Sequence, residues 1–234
     1  LVVGKRNGFG AVPFRPHHLP FVLLGSALLW FGWFGFNAGS AGAADAVAGR
    51  AFINTVIAPA AAMLAWLLVE RLRDGKPTSL GAASGIVAGL VAITPAASAV
   101  DSFGALAIGV AAGVLCALSV TVKYKLGFDD SLDVVGVHLV GGLVGTVLIG
   151  VFANLDEGST WAPEGALNGL LYGGDATQLI TQSLVAVFAM AVSFGVTAIV
   201  AAIIKATLGL RVSADVEQFS VDLAEHGEVA YDAS

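Results

Sequence analysis

The spacing of charged residues along the chain constrains the fold more than any other feature. Asp, Glu, Lys and Arg are absent from six long stretches, at residues 16–44, 51–69, 77–100, 102–122, 134–155 and 176–204. The shortest of these stretches has 19 residues and the longest has 29. A helix needs about 20 mostly apolar residues to cross a hydrocarbon core of roughly 30 Å. We therefore predict six membrane-spanning helices, at about 19–39, 49–71, 79–95, 102–123, 134–153 and 177–206.

The composition agrees with an all-α integral membrane protein. Of the 234 residues, 57% are hydrophobic and 12% are charged, whereas soluble domains are roughly 45–50% apolar and about 25% charged. These values exclude a disordered chain and a nucleic-acid-binding tail, and the single cysteine excludes a disulfide scaffold. A transmembrane β-barrel would need shorter segments of alternating hydrophobicity. The expected surroundings of the chain are therefore a lipid bilayer, with no nucleic acid.

Lysine and arginine predict the orientation of the chain in the membrane. Threading six helices places all but one of the 11 basic residues on the side of the N-terminus, and only Arg50 falls on the other side. Short cytoplasmic loops carry an excess of Lys and Arg. Both ends of the chain are therefore expected to be cytoplasmic.

Glycines and prolines within the apolar stretches predict close helix packing. Small residues four apart let helix backbones approach closely, and such glycines occur at 35 and 39, at 81, 85 and 89, at 109 and 113, and at 141 and 145. Pro59 and Pro95 each remove a backbone donor and can free a carbonyl. Thr94 and Pro95 either line a cavity or mark the end of a helix.

An aromatic run, W-F-G-W-F-G-F-N-A-G-S at residues 30–40, ends the first apolar stretch. At 3.6 residues per turn, Trp33, Phe36 and Ser40 share one helix face. Aromatic rings attract cations, so this face is one candidate lining for the path of a small cation. An aromatic belt at the membrane interface is the alternative, although a belt does not readily explain Asn37 in the same element.

His138 is the one histidine inside the predicted helices. Ionisable residues at membrane depth are costly and usually functional, and a neutral imidazole offers one donor and one acceptor to a small solute or a proton. A structural histidine with satisfied hydrogen bonds is the alternative. Asp129, Asp130 and Asp133 come just before this helix, where capping and dipole complementation are their expected roles. We expect no metal site and no cofactor.

An intramembrane serine protease is a remote alternative. Ser84 lies in the glycine-rich segment A-A-S-G and could pair with His138. However, Ala82 stands where a rhomboid-like motif would have glycine, and no residue for an oxyanion hole is evident. We therefore expect a protein that is not an enzyme.

Several blocks of sequence together resemble one family. The aromatic run, F-I-N-T-V at 52–56, G-I-V-A-G-L-V-A-I-T-P at 85–95 and D-D-S-L-D-V-V-G-V-H at 129–138 are similar to the ammonium transporter (Amt/Rh) family, on its microbial Amt branch. The tail segments G-L-R-V at 209–212 and H-G-E-V-A-Y at 226–231 resemble the cytoplasmic C-terminus of that family. The blocks span the whole chain in the expected order.

The resemblance implies a fold of eleven helices, made of two inverted five-helix repeats and a final helix, assembled as a homotrimer. This chain resembles the second repeat plus the final helix, with residues 1–209 in the membrane domain and 210–234 in a cytoplasmic tail. By resemblance, Ser40 is the serine of an outer ammonium site and Phe36 is a gate phenylalanine with Trp33 and Asn37 beside it. Thr94 matches a threonine near the pore, and His138 matches the second of two paired histidines.

The resemblance also implies ammonium transport across the plasma membrane, with deprotonation assisted by histidine. The first paired histidine, the outer-site tryptophan and a structural aspartate of the family lie in the first five helices, which this sequence lacks. Because one repeat cannot close a pore formed between two, the expected function belongs to the complete protein. A PII-type signalling protein is an implied partner at the cytoplasmic face. A non-transporting ammonium sensor or structural membrane subunit is the alternative function.

Overall fold

The computed structural model describes residues 1–12, 14–155, 162, 165–229 and 231 of the chain. Within these residues the fold is all-helical, and the one β-type contact is an isolated bridge between Val100 and Ala153. The major helices are α1 Leu19–Asn37, α2 Ala46–Asp74, α3 Ser79–Ile93, α4 Ser102–Ser119, α6 Val140–Phe152 and α7 Ala176–Thr207. Short helices occur at α5 Val122–Leu126, α8 Ala214–Phe219 and α9 Val221–His226. Residues Val135–Leu139 form one turn of π-helix that leads into α6.

The helix boundaries lie close to those predicted from the charge spacing. Five of the described helical segments are long and apolar enough to cross a membrane, namely those that contain α1, α2, α4, α6 and α7. The segment at α3 differs, because it has 15 residues and is therefore about 22 Å long at 1.5 Å per residue. It ends at Ile93, before Pro95, because Pro95 has no N–H with which to continue the helical hydrogen bonds.

The core forms where α2, α3 and α4 approach each other through glycine. A methyl group added at Gly89 would lie 2.5 Å from the Cα atom of Pro59 in α2. Methyl groups at Gly109 and Gly113 of α4 would each lie 2.3 Å from a carbonyl oxygen of α2. The predicted close packing is therefore confirmed for these positions. It is not found for Gly35 and Gly39, which face open space within the described chain.

Helices α6 and α7 extend this core on one side. Gly145 of α6 packs against α3, since a methyl group there would lie 1.8 Å from the carbonyl oxygen of Ala92. Gly150 packs against α7 in the same way, 2.3 Å from the Cα atom of Leu179. All 32 residues of α7 are described, and only Ala186 among them is buried. The apolar surface of α7 is therefore left for lipid or for other parts of the protein.

The basic residues other than Arg50 gather at one end of this bundle. Arg6 pairs with Asp129, and its backbone N–H donates to the same carboxylate at 2.8 Å. Lys205 at the end of α7 donates to the carbonyl of Val2 at 3.1 Å. Arg211 pairs with Glu217 in the tail, and it donates to the carbonyl of Lys5 at 2.7 Å. The tail therefore folds back onto the first residues of the chain.

Glycine packing can be tested with two substitutions in the same helix. Gly145→Ala places a methyl group against the backbone of α3, and such overpacking is expected to cost about 1–3 kcal/mol. Gly142→Ala is the control, because nothing lies within 4 Å of the added methyl group in the described chain. Thermal unfolding in detergent, monitored by size-exclusion chromatography, should show a lower midpoint temperature for Gly145→Ala and an unchanged one for Gly142→Ala. Equal midpoints for the two variants would contradict this packing.

Candidate functional site

A cavity of about 420 Å³ opens between α1, α3 and the segment that precedes α6. His138 lies on its wall in the π-helical turn, and its side chain is exposed in the described chain. Apolar side chains form most of the remaining wall, together with the buried Ser26. Ser84 also lines this cavity, but no hydrogen bond joins it to His138 among the described residues. The pairing required by a serine protease is therefore absent from the described geometry.

The π-helical turn is fixed by the carboxylates before it. Asp130 accepts hydrogen bonds from the backbone N–H groups of Val134 and Val135, at 2.9 and 2.7 Å. This is the predicted capping role, because the first turn of a helix has N–H groups without helical partners. A turn of π-helix often marks a functional position in a helix. Here it holds His138 at the wall of the cavity.

The buried Lys123 binds the residues that lie just before the π-helical turn. The Nζ atom of Lys123, which is 6% exposed, lies 2.6 Å from Oδ1 of Asp133 and 2.6 Å from the carbonyl oxygen of Asp130. The backbone of Asp133 is left-handed, with φ of 57°, a conformation that Asp tolerates better than most residues. Burial raises the pKa of Asp133 above its ordinary value, although the Lys123 ammonium opposes that rise.

The aromatic run places its side chains around the far end of α1. The indole N–H of Trp33 donates to Oγ1 of Thr94 at 2.7 Å, and that hydroxyl donates in turn to the carbonyl of Leu90 at 2.7 Å. The ring of Phe36 meets the ring of Trp33 edge to face, with centroids 6.0 Å apart. The Ser40 hydroxyl donates to the carbonyl of Phe36. The structure therefore brings together Trp33, Phe36, Ser40 and Thr94.

Helical periodicity connects this aromatic cluster to the His138 cavity. On α1 the cavity-lining residues are Val22, Gly25, Ser26 and Leu29, and Trp33, Phe36 and Ser40 continue the spacing of three and four residues. On α3 the last cavity-lining residue is Val87, and Thr94 follows two turns later on the same face. One continuous face therefore leads from His138 to Ser40.

Asn37 lies on a different face of α1. It is 8% exposed, and its Nδ2 donates to Oγ1 of Thr55 in α2 at 3.0 Å. Trp30 also points to α2, where its indole N–H donates to the carbonyl of Thr55 at 2.9 Å. Trp30 belongs to the aromatic run and Thr55 to the F-I-N-T-V block, but sequence reasoning did not pair them. The available signal was Pro59, which deprives the carbonyl four residues earlier of its helical donor.

A second polar cluster, also missed from the sequence, lies at the end of the bundle opposite the basic residues. Asp101 caps α4 by accepting from the N–H of Gly104 at 2.7 Å, and it also accepts from the Tyr172 hydroxyl and from Asn154. Burial alone would raise the pKa of Asp101. These three hydrogen bonds and the charge of Arg50 outweigh burial and hold that pKa below its ordinary value.

The chain matches a known protein family and several curated relatives. The family model described as Ammonium Transporter Family matches residues 1–231. An ammonium transporter of Mycobacterium tuberculosis is 61% identical over 99% of this chain, and the match covers 49% of that relative. Ammonium transporter Amt1 of Archaeoglobus fulgidus is 45% identical over 99% of this chain and 57% of its own length. The chain belongs to the ammonium transporter family, and it spans about half the length of these relatives.

Solved structures agree with this assignment. The crystal structure of Saccharomyces cerevisiae Mep2 aligns with a TM-score of 0.80 at 38% identity, covering 91% of this chain and 49% of that chain. A structure described as a sensor Amt protein aligns with a TM-score of 0.82 at 31% identity, covering 96% and 55% of the two chains. The chain therefore has the helical membrane fold of this family and is a multi-pass membrane protein.

The Asp130 cap can be tested by amide hydrogen exchange. Asp130→Ala leaves the N–H groups of Val134 and Val135 without their acceptor, and loss of a helix cap costs about 1.4 kcal/mol, or roughly tenfold in opening. Exchange at these two amides should accelerate by that factor. Asp45→Ala is the matched control, because Asp45 caps α2 by accepting from Ala48 at 2.9 Å. It should accelerate exchange at the start of α2 and leave residues 134 and 135 unchanged.

The lowered pKa of Asp101 predicts a pH dependence of stability. An acid whose pKa is lower in the folded state stabilises that state above its unfolded pKa, about 3.9 for Asp. This stabilisation is lost as the pH falls through the lowered folded-state value. Asp101→Asn should therefore reduce the unfolding midpoint most at neutral pH, with the difference from wild type shrinking below about pH 4. Thermal scans from pH 7 to 3 measure this, and a difference independent of pH would contradict it.

Proposed function

We propose that the protein of which this chain forms part transports ammonium across the membrane, with His138 assisting its deprotonation. The chain spans about half the length of its relatives, so the proposal concerns the complete protein. One observation carries it, namely the continuous face of α1 and α3 that leads from Ser40 and Phe36 to the His138 cavity. Membership of the ammonium transporter family supplies the solute.

The chemistry of this face suits a small cation that loses its water. The aromatic faces of Trp33 and Phe36 and the oxygen of Ser40 can replace part of the hydration of ammonium at the entrance. A bare ammonium ion in an apolar passage would be very costly, so the passage favours neutral ammonia. The imidazole of His138 can then accept or pass a proton. In this proposal Phe36 is the gate and Thr94 orients Trp33 through its hydrogen bond. Asn37 lies next to the gate and binds Thr55 of α2.

The proposed architecture is the second inverted repeat plus the final helix of an eleven-helix transporter. In this architecture the short α3 also spans the membrane, in addition to the five longer apolar helices, which makes six spanning helices. Residues 1–209 form the membrane part. A face that is open in this chain, such as that of His138, would be closed by the first repeat. We further propose a homotrimer, in which apolar helix surfaces are shared between lipid and neighbouring subunits.

The proposed setting is the plasma membrane, with the basic end of the bundle in the cytoplasm. The clustering of Lys and Arg at that end supports this orientation. Residues 210–234 form a cytoplasmic tail in this proposal, and residues 230 and 232–234 lie outside those described. The docked segment around Arg211 and Glu217 is then the surface that a PII-type protein would meet.

An ammonium sensor is the second candidate function. The likeness to the structure described as a sensor Amt protein favours it, since 96% of this chain aligns there. The same cavity would then bind ammonium without passing it. Transport assays on the complete protein separate the two functions, because a sensor binds ammonium and carries no flux.

His138→Ala tests the role of the imidazole. Because the apolar passage then lacks one of the two imidazoles that the resemblance implies, ammonium transport by the complete protein should fall by at least tenfold, as for loss of a general base. The measurement is the ammonium-evoked current of proteoliposomes with matched protein content. Full activity in this variant would exclude the proposed role.

His17→Ala is the matched control for this experiment. His17 precedes α1, is exposed and does not line the cavity. Its replacement also removes one imidazole and should leave the current unchanged. An equal loss in both variants would mean that histidine loss affects transport indirectly.

A further inference from the structure

The rotation of α1 about its own axis decides which of its side chains reach the pore face. One stripe of α1, formed by Trp30, Phe34 and Asn37, is directed to α2. Trp33 and Phe36 lie on the neighbouring stripe, which continues from the His138 cavity. Adjacent residues differ by about 100° around a helix. The contacts that hold the first stripe therefore also set the direction of the second.

The contact made by Trp30 depends on a proline. Pro59 lies inside α2 and has no N–H, so the carbonyl of Thr55, four residues earlier, lacks its regular helical donor. The indole N–H of Trp30 donates to this carbonyl at 2.9 Å. An unpaired carbonyl is costly where no water is present. The proline therefore creates an acceptor on α2, and a residue of α1 satisfies it.

Thr55 makes a second contact with α1 through its side chain. Its Oγ1 accepts from Nδ2 of Asn37 at 3.0 Å and donates to the carbonyl of Ala51 at 2.6 Å. Thr55 is fully buried. Between these two bonds, the ring of Phe34 stacks on Phe52 with centroids 4.3 Å apart. Rotation of α1 would break all three contacts, which extend over two helical turns.

The result of this arrangement is visible on the neighbouring stripe. Phe36 is 61% exposed in the described chain, and the indole of Trp33 reaches Thr94 on α3. Neither side chain can keep this direction if α1 turns by one residue position. Trp30 and Thr55 are not among the residues that line the cavity. Their effect on the pore must therefore act through α1.

We propose that Pro59, Thr55 and Trp30 are positioning residues, in which the carbonyl freed by Pro59 binds the indole of Trp30 and fixes the rotation of α1. This fixed rotation holds Phe36 and Trp33 on the pore face. The consequence for transport rests on the proposed function. The hydrogen bond and the rotation are measurable without transport.

Two substitutions, one on α1 and one on α2, disrupt the hydrogen bond between the Trp30 indole and the Thr55 carbonyl. Trp30→Phe deletes the indole donor, and Pro59→Ala restores an N–H that competes for the Thr55 carbonyl. Each should lower the maximal rate of ammonium transport by about 3–10-fold per folded protein, the range expected for one hydrogen bond. The double variant should be no slower than the slower single variant, because both changes act on one interaction. Independent, multiplying losses would overturn the proposal.

Matched controls separate positioning from general stability. Trp66→Phe likewise deletes an indole donor, here on α2, where Trp66 donates to Glu70 at 3.2 Å. This variant should retain the wild-type rate. Pro77→Ala removes a proline outside the helices and should do the same. Thr55→Ser keeps the carbonyl and the hydroxyl and should retain the wild-type rate. Thr55→Val keeps the carbonyl that binds Trp30 but removes the acceptor of Asn37, and it should lower the rate by no more than about 3–10-fold. Equal losses in the controls and in Trp30→Phe would overturn the positioning role.

The bond is measured by nuclear magnetic resonance of the labelled tryptophans, with the Trp30 indole assigned by its absence in Trp30→Phe. In Pro59→Ala this signal should shift and its proton should exchange about 3–10-fold faster. An unchanged signal overturns the proposal, as does a shifted signal with wild-type transport. A Phe36→Cys reporter gives the rotation, and its rate of thiol labelling should change when Pro59→Ala is added.

The two possible failures are distinguishable. If the complete wild-type protein moves no ammonium, the proposed function fails. The labelling rate at position 36 then decides the present inference alone. A changed rate in the Pro59→Ala background supports the fixed rotation of α1, and an unchanged rate overturns it.

Discussion

Close contact between helix backbones is the constraint on which the rest of the structure depends. Lipid offers no hydrophobic gain when two apolar helices meet, so van der Waals contact must hold them together. Helix α2 provides the common surface, with the carbonyls of Ala58 and Ala62 seated against glycines of α4 and the Cα atom of Pro59 against a glycine of α3. This core fixes α3, and α3 in turn fixes the cavity wall and Thr94.

Helices α1 and α7 are the least buried of the major helices. Within α1 only Ser26 and Asn37 are buried, and within α7 only Ala186. Hydrogen bonds, rather than buried area, therefore fix α1 in this chain, through Trp30, Trp33 and Asn37. A face held in this way can remain apolar and open. In the function proposed above, this face would form one half of a channel between two repeats.

Much of the fold was predictable because one requirement acts on each spanning helix separately. A stretch that crosses lipid must be apolar and helical along its whole length, so charge spacing alone placed the helices within a few residues of their observed ends. Asp130 was predicted as a cap for the same local reason. The length of α3 was overestimated, because the prediction ran through Thr94 to Pro95, whereas the helix ends at Ile93. Gly35 and Gly39 have the four-residue spacing of packed glycines but no neighbouring helix in the described chain. Periodicity does not specify which helix faces meet.

The sequence by itself determined the number and position of the apolar segments, the family of the protein and the residue types of the candidate pore. The apolar segments follow from composition and charge spacing, whereas the family and the candidate pore residues follow from the resemblance of several sequence blocks to known transporters. The tertiary structure alone decided that Asn37 faces Thr55 and that Trp30 occupies the carbonyl freed by Pro59. It also decided that the faces of α1 and α3 join His138 to Ser40. Such pairings depend on the rotation and depth of whole helices, which contacts between distant residues set and local pattern does not encode.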